Sequence, residues 1–123
     1  MKYKISDIPP VVYGYDGNGN CEPSDDDIRL AINENKLEKR GYQSDLPELG
    51  VEWRQCAKNQ IEWDNLVRTY HARRIAHFVV NGWIEPITLT AGGMVKDGLH
   101  RLKAAGFLGM GEVEVVIQKE NSN

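Results

Sequence analysis

The stretch PITLTAGGMVKDGLHRLKAAGFLGMGEVEVVI, residues 86 to 117, decides the fold. Two short runs in it, Ile87 to Thr90 and Met94 to Asp97, have the composition of strands. Ala91-Gly92-Gly93 separates them, and a Gly-Gly pair supplies the positive φ angles that tight hairpins need. The sequence therefore predicts two adjacent antiparallel strands joined by a hairpin turn.

A helix and a last strand are predicted directly after the hairpin. The helix extends from about Leu99 to Leu108, because apolar residues recur at helical spacing and Gly109 can end the last turn. The run EVEVVIQ, residues 112 to 118, alternates apolar and polar residues as a half-buried strand does. Strands and helices in this order predict an α+β or α/β unit with a mixed sheet, and we expect an α+β single domain with a small mixed sheet and packed helices.

Two further helices and a strand are predicted upstream. SDDDIRLAINENKLEKRG, residues 24 to 41, starts with a serine cap and three aspartates that suit a helix N-terminus, and Gly41 is expected to close this helix. A second helix is predicted from about Trp63 to Asn81. Lys2 to Ile5 is predicted to be a short strand, and residues 42 to 62 the least regular part of the chain.

Length, charge and cysteine content describe one small domain. The chain has 123 residues, 41% of them hydrophobic, and a net charge of −3, which disfavours a broad electrostatic attraction to DNA. Cys21 and Cys56 form no metal-binding spacing and fit a reducing compartment better than a disulfide. There is no signal-peptide pattern and no apolar run near the about 20 residues that cross a bilayer. We therefore expect a cytoplasmic protein without a membrane partner.

The turn at Asp97-Gly98 has residue types that suit a phosphate group. If a helix begins at Gly98, its first N–H groups and its dipole attract an anion, and glycine permits a close approach. Arg101 adds a forked cation, His100 adds a donor, and Asp97 could hold a magnesium ion that bridges phosphate oxygens. On this hypothesis Arg101→Ala weakens nucleotide binding and leaves the fold intact. The alternative is an ordinary Asp-Gly turn followed by a surface arginine.

Polar residues on the preceding helix offer a second contact. His71, Arg74 and His77 share one helix face, which could lie beside the Gly98 turn, so that His71 and Arg74 would contact the phosphate. The alternative is a solvated polar face opposite the apolar stripe. Histidines six residues apart do not have the i, i+4 spacing of a helical metal pair.

Residues 86 to 117 resemble the core of the ParB/sulfiredoxin superfamily. There a PI-strand, a hairpin, a D-G-x-H-R or G-x-R-R turn, an alanine-rich helix and a final strand recur in this order. The helix YHARRIAHFVVNGWIEPI, residues 70 to 87, is also similar to that family, and so, more weakly, is the opening YKISDIPP, residues 3 to 10. The resemblance implies a single domain with its core at about residues 66 to 118 and an unaligned, insertion-like region at residues 11 to 65.

The resemblance implies nucleotide or phosphate handling at the turn. ParB proteins bind and hydrolyse CTP there, archaeal free-serine kinases use a D-G-H-H-R form, and sulfiredoxins use a G-C-H-R form with a catalytic cysteine. Carried over by position, Gly98, His100 and Arg101 would face phosphates, and Asp97 would match the acid of the kinase form. Leu99 stands where sulfiredoxins have their cysteine, which excludes their chemistry. The kinase's catalytic glutamate has no clear counterpart.

The prediction from sequence is thus a domain that binds a nucleotide such as CTP, ATP or ADP. Asp97 and His100 are the candidate catalytic residues, and Mg²⁺ held by Asp97 is the candidate cofactor. Nucleotide hydrolysis and phosphoryl transfer remain alternatives. So does a DNA-directed nuclease or accessory protein of a mobile element, which the net charge and the lack of a ParB-type helix-turn-helix disfavour. A non-catalytic interaction module is a further alternative, and homo-oligomer formation is left open.

Overall fold

The structure is a computed structural model, and it describes residues 1–11, 13, 19–39 and 58–119. In this part of the chain, three α-helices accompany a four-stranded mixed sheet of order β1-β4-β2-β3, which confirms the predicted α+β class. The elements in chain order are β1 (Lys2–Lys4), a 3-10 turn (Ile5–Asp7), α1 (Asp25–Asn33), α2 (Gln60–Asn81), β2 (Ile87–Leu89), β3 (Val95–Asp97), α3 (Leu99–Phe107) and β4 (Glu112–Ile117).

The predicted hairpin is present. β2 and β3 pair antiparallel, with Thr88 opposite Asp97 and a register irregularity at the next residue. The turn closes through a hydrogen bond of 2.7 Å from Thr90 N to Met94 O, and Gly93 has a φ of +89°. That positive φ is the conformation for which glycine is favoured, so the hairpin prediction is confirmed together with its cause.

The sheet is mixed because α3 carries the chain back across it. β4 lies parallel to β2, with Ile87 opposite Val115, and its other edge pairs antiparallel with β1. β1 is therefore an edge strand, and β3 is the edge strand on the other side. Since β2 and β4 are parallel neighbours, the loops that precede them both lie at the N-terminal end of these two strands.

Helix α3 lies between two apolar clusters. Ala104 belongs to the cluster formed with α1 and α2, and Ala105 belongs to the cluster formed with the sheet. Both alanines are fully buried. Small side chains on two sides of one helix let it approach both neighbours closely, so α3 connects the helical layer to the sheet. A Schellman motif with Gly109 in the left-handed region ends this helix.

Helix α1 ends earlier than the sequence predicts. The cap is as expected, because Ser24 and Asp27 form a reciprocal capping box. The helix stops at Asn33, however, and not at Gly41, which lies outside the described residues. Asn35 adopts a left-handed φ of +53°, and Lys36 N donates to Ala31 O, which together make a Schellman C-cap. Asparagine tolerates this conformation better than most residues, and the sequence analysis missed that signal.

Helix α2 is the longest element, with 22 residues. It begins at Gln60, slightly before the predicted Trp63, because the side chain of Asn59 accepts a hydrogen bond from Glu62 N as its cap. Residues 40–57 lie outside the described residues, so the prediction of low regularity is limited here to residues 58–62, of which the last three are helical. In the described part of the chain, no helix combines the length and the apolarity that a membrane span requires.

Part of the insertion-like region belongs to the core. Ile28 and Ala31 of α1 are buried against α2, together with Tyr13 and Cys21 from the preceding segment. The unaligned residues that the structure describes therefore contribute to the same domain as the core at residues 66 to 118.

Two nearby isoleucines provide a test of this packing. Ile87 is fully buried in β2, whereas Ile84 is 99% exposed in the preceding loop. Ile87→Ala should lower the free energy of unfolding by about 2–5 kcal/mol, because it removes buried methyl groups and leaves a cavity. Ile84→Ala should change it by less than about 0.5 kcal/mol. Urea unfolding followed by circular dichroism measures both, and equal losses would contradict the described core.

Candidate functional site

Helix α3 begins at a glycine N-cap. Gly98 is in the left-handed region at φ +97°, and a glycine has no side chain with which to cap the first turn. The first helical hydrogen bond runs from Leu102 N to Gly98 O at 2.9 Å. Glycine thus turns the chain from β3 into α3, and the helix starts at the residue that the sequence predicts.

Arg101 is the second feature of this turn, and it points inward. Only 7% of the residue is exposed, and its Nη1 donates to Glu85 O at 3.0 Å and to Pro86 O at 3.2 Å. The alternative of a surface arginine is therefore wrong. The expectation that Arg101→Ala leaves the fold intact stays a prediction, and the burial of this side chain argues against it. Its loss would leave two carbonyl groups without their donor in the segment that leads into β2.

The guanidinium of Arg101 lies directly against the backbone of Gly98. A Cβ atom added to Gly98 would be 2.9 Å from Arg101 Nη2, which is closer than real Cβ contacts allow. Position 98 therefore favours glycine for two reasons, the positive φ and the space that the guanidinium occupies. The sequence analysis assigned this space to a ligand oxygen, whereas the structure fills it with a side chain of the protein.

Two exposed carboxylates flank the buried guanidinium. Asp97 Oδ2 lies 3.4 Å from Arg101 Nη2, and Glu85 Oε2 lies 3.5 Å from Nη1. Their side chains are 77% and 82% exposed, so these ion pairs are weak and can be exchanged for other partners. Glu85 was not among the predicted site residues, because it is distant from the turn in sequence.

The predicted magnesium site depends on which side chains are available as metal ligands. No group of three or more His, Cys, Asp or Glu side chains suited to a metal ion occurs among the described residues. Mg²⁺ often needs no such group, since it binds through one or two carboxylates together with phosphate oxygens. Asp97 fits that role as an exposed carboxylate at the start of α3.

His71 and His100 form a direct pair. His71 Nδ1 and His100 Nε2 are 2.8 Å apart, so one ring donates a hydrogen bond to the other. The predicted proximity of the α2 face to the Gly98 turn is thus present at His71, which is partly buried and is not part of a solvated face. The two residues are 29 positions apart in sequence, and no local pattern indicates their contact.

Tyr13 covers the histidine pair. Its ring stacks on His71 with centroids 3.8 Å apart and lies 5.4 Å from the ring of His100. Glu22 holds Tyr13 in place, since its carboxylate accepts from Tyr13 N at 2.7 Å and from Lys103 Nζ at 2.6 Å. The sequence analysis did not identify Tyr13, Glu22 or Lys103.

Burial keeps both histidines neutral. Desolvation lowers the pKa of His71 to about 4. Desolvation, followed by the nearby charges of His71, Arg74 and Arg101, lowers the pKa of His100 to about 3. At neutral pH His100 therefore carries no positive charge, and it can contribute to a site only as a neutral donor or acceptor.

Arg74 does not extend to the turn. Its Nη1 donates to the carbonyl oxygens of Glu38 and Lys39, and its guanidinium lies over the ring of Phe78 at 4.6 Å. Arg74 thus fastens the segment that follows α1 to α2. Of the two predicted contacts on α2, the structure brings His71 to His100 and places Arg74 on backbone carbonyls instead.

The described cysteine is no candidate nucleophile. Cys21 is buried, and burial, followed by its hydrogen bond to Asp64, raises the pKa of its thiol. A protonated thiol is a poor nucleophile. Cys56 lies outside the described residues.

Comparisons of the chain with protein-family models, with curated proteins and with solved structures find no match. The resemblance to the ParB/sulfiredoxin superfamily therefore stays a prediction.

The histidine pair makes stability depend on pH. The unfolded chain binds protons on His71 and His100 near the ordinary pKa of 6.5, whereas the folded protein does not until about pH 4. The free energy of unfolding should therefore fall as the pH drops below about 6.5, by at most about 1.4 kcal/mol per pH unit for each histidine. Urea unfolding at about pH 7, 6 and 5 measures this loss.

Proton NMR of the imidazole rings provides the direct control. In the folded protein, neither His71 nor His100 should titrate above about pH 5. The variant His71→Phe keeps an aromatic ring beneath Tyr13 and should lose part of the pH dependence. A titration of either ring near 6.5 in the folded state would contradict the buried neutral pair.

Removal of the Tyr13 hydroxyl group is expected to stabilise the protein. Its hydroxyl group is buried and has no hydrogen-bond partner among the described residues. Because a buried unsatisfied hydroxyl costs about 1–3 kcal/mol, Tyr13→Phe should raise the free energy of unfolding by about 1 kcal/mol. Tyr3→Phe in β1, which is partly exposed, is the matched control and should change it by less than about 0.5 kcal/mol. A destabilised Tyr13→Phe variant would show that the hydroxyl has a partner.

Proposed function

We propose that this protein binds the phosphate groups of a nucleotide at the start of α3. The supporting observation is a buried arginine beside a helix N-terminus whose N-cap residue is a glycine. Backbone N–H groups and the positive end of the helix dipole attract an anion there, and the neighbouring guanidinium is also positively charged. Two sources of positive potential thus act at one partly buried turn.

The partners of Arg101 support the exchange that such binding requires. Its two carbonyl contacts hold Nη1, while Nη2 has the contact with Asp97 at 3.4 Å. A phosphate oxygen would be a stronger partner than this long contact to an exposed carboxylate, because charge-assisted hydrogen bonds from arginine to phosphate are short and strong. The phosphate would therefore displace Asp97 from Nη2 and leave Nη1 on its carbonyls.

Asp97 and His100 then have distinct roles. Released from Arg101, Asp97 would hold a magnesium ion together with the phosphates, and this ion would neutralise part of their charge. His100 would contribute a neutral N–H in the second position of α3, and His71 would fix the ring that carries it. Hydrolysis and phosphoryl transfer both need positioning and charge stabilisation of this kind, and the reaction class stays open between them.

The alternatives have less support. A DNA-directed role requires positive surface charge, and the chain has a net charge of −3. The alternative of a non-catalytic interaction module assigns no role to the buried Arg101 at the start of α3.

Nucleotide titrations followed by ¹⁵N–¹H NMR test this proposal. ADP, ATP and CTP, each with and without Mg²⁺, should shift the amide signals of Leu99, His100 and Arg101 more than those of the first turn of α1. Helix α1 is the internal control, because its first turn is already capped by Ser24. Shifts confined to other parts of the chain, or none at about 5 mM nucleotide, would refute the phosphate site.

Two variants test the roles assigned to Arg101 and Asp97 in nucleotide binding. Arg101→Lys keeps the charge but loses the fork, and should weaken nucleotide binding roughly tenfold in calorimetry. Asp97→Asn removes the competing carboxylate, and should strengthen binding without Mg²⁺ by up to about fivefold and reduce the benefit of Mg²⁺.

Asp26→Asn is the matched control for Asp97→Asn. Asp26 pairs with Arg29 on α1 at 2.8 Å, and its side chain is 91% exposed, so it reproduces the removal of an exposed aspartate from an arginine. It should leave nucleotide binding unchanged. Equal effects of the two substitutions would indicate a general charge effect and not a site at α3.

A further inference from the structure

A single proton lies between the rings of His71 and His100. His71 Nδ1 and His100 Nε2 are 2.8 Å apart, and both rings are neutral, so one of these nitrogens donates and the other accepts. Because a neutral imidazole has only one N–H, the two rings are coupled. Either His71 donates and both rings carry their proton on Nδ1, or His100 donates and both rings carry it on Nε2.

Aromatic neighbours keep the two rings in this contact. Tyr13 stacks on His71 with an angle of 14° between the ring planes. Tyr70 is fully buried, and its ring is nearly perpendicular to that of His100, with the centroids 6.0 Å apart. Among the described residues, the side chains of the two histidines form no other hydrogen bond. Neither ring can turn away without losing its aromatic contacts, so the position of the protons is the freedom that is left.

The place of His100 in α3 decides which proton arrangement a bound anion favours. Its Nε2 contacts His71, whereas its Nδ1 is bonded directly to Cγ and therefore stays close to the backbone of the first turn of α3. The helix dipole and the charges of Arg74 and Arg101 make the potential at His100 positive, which favours a lone pair on Nδ1. A phosphate at this turn reverses the potential and favours an N–H on Nδ1, which can donate to a phosphate oxygen.

We infer that His71 is a positioning residue of the phosphate site, because the hydrogen bond that it donates to His100 Nε2 places the proton of His100 on Nδ1, ready for the phosphate. The inference rests on the proposed phosphate binding and adds the proton state of both rings. Without a ligand both rings carry their proton on Nε2, and with a phosphate both carry it on Nδ1.

The change between these two states conserves the protons. The shared proton passes from His100 Nε2 to His71 Nδ1, His71 Nε2 gives its proton to water, and His100 Nδ1 receives one from water. Both histidines are partly exposed, so water can exchange these protons. Neither ring becomes charged, which agrees with the cost of burying an imidazolium beside two arginines.

NMR of the ¹⁵N-labelled full chain tests the inference, because protonated and unprotonated nitrogens of a neutral imidazole have widely different ¹⁵N chemical shifts. At about pH 7 both rings should have the Nε2–H form in the ligand-free protein. ADP added to about 5 mM should convert both rings to the Nδ1–H form, while the amide signals of Leu99 and Arg101 report whether ADP is bound.

The possible outcomes distinguish the inference from the phosphate site itself. Rings in different tautomers, with or without ADP, would overturn the inference. So would unchanged tautomers in a protein whose α3 amides show that ADP is bound. Amide signals of α3 that do not respond to ADP would refute the phosphate site, and the role of His71 with it, even where the two ligand-free rings share one tautomer.

Variants separate this role from a packing role, with ADP affinity measured by calorimetry. His71→Asn places an amide N–H near the position of Nδ1, so it can still donate to His100 and should keep the affinity within about twofold. His71→Phe keeps a ring beneath Tyr13 but donates no hydrogen bond, and should weaken binding roughly three- to tenfold. His77→Phe is the matched control on α2, because His77 contacts Asn81, and it should leave binding unchanged. Tighter binding by His71→Phe than by His71→Asn would show that His71 acts through packing and refute the inference.

Discussion

The burial of the Arg101 guanidinium is the constraint on which the arrangement of the candidate site depends. A buried cation is unfavourable unless hydrogen bonds compensate for the water it loses. Here the carbonyl oxygens of Glu85 and Pro86 provide that compensation, and they belong to the segment that leads directly into β2. The start of α3 is therefore fixed to the start of the central strand, and Gly98 is needed because the guanidinium occupies the space of a side chain.

This constraint links several parts of the domain. Because the first turn of α3 is fixed by Arg101, His100 is held where its ring can contact His71 on α2. On the other side, Ala105 brings the same helix against β2 and β4.

The sequence predicts the elements whose causes are local. The Gly-Gly turn, the alanine-rich α3 and the alternating β4 all have signals within their own residues, and the structure confirms each of them. The predicted end of α1 was wrong. The residues from Glu34 to Glu38 are compatible with a helix in sequence, but the left-handed conformation of Asn35 ends the helix there. The orientation of Arg101 and the pairing of His71 with His100 depend on residues that are distant along the chain, and no spacing rule contains that information.

The pairing of β1 with β4 has a consequence for the order in which the protein acquires its structure. Met1 and Glu114 are 113 positions apart and in contact, and Lys2 to Lys4 pair with Glu112 to Glu114. On the ribosome β1 emerges long before β4, and the chain has to close a long loop before this pairing can form. The helices and the β2–β3 hairpin depend on much closer contacts and can form sooner. The pairing of β1 is therefore expected to follow the formation of these elements, and until then Tyr3 and Ile5 lack their final apolar surroundings.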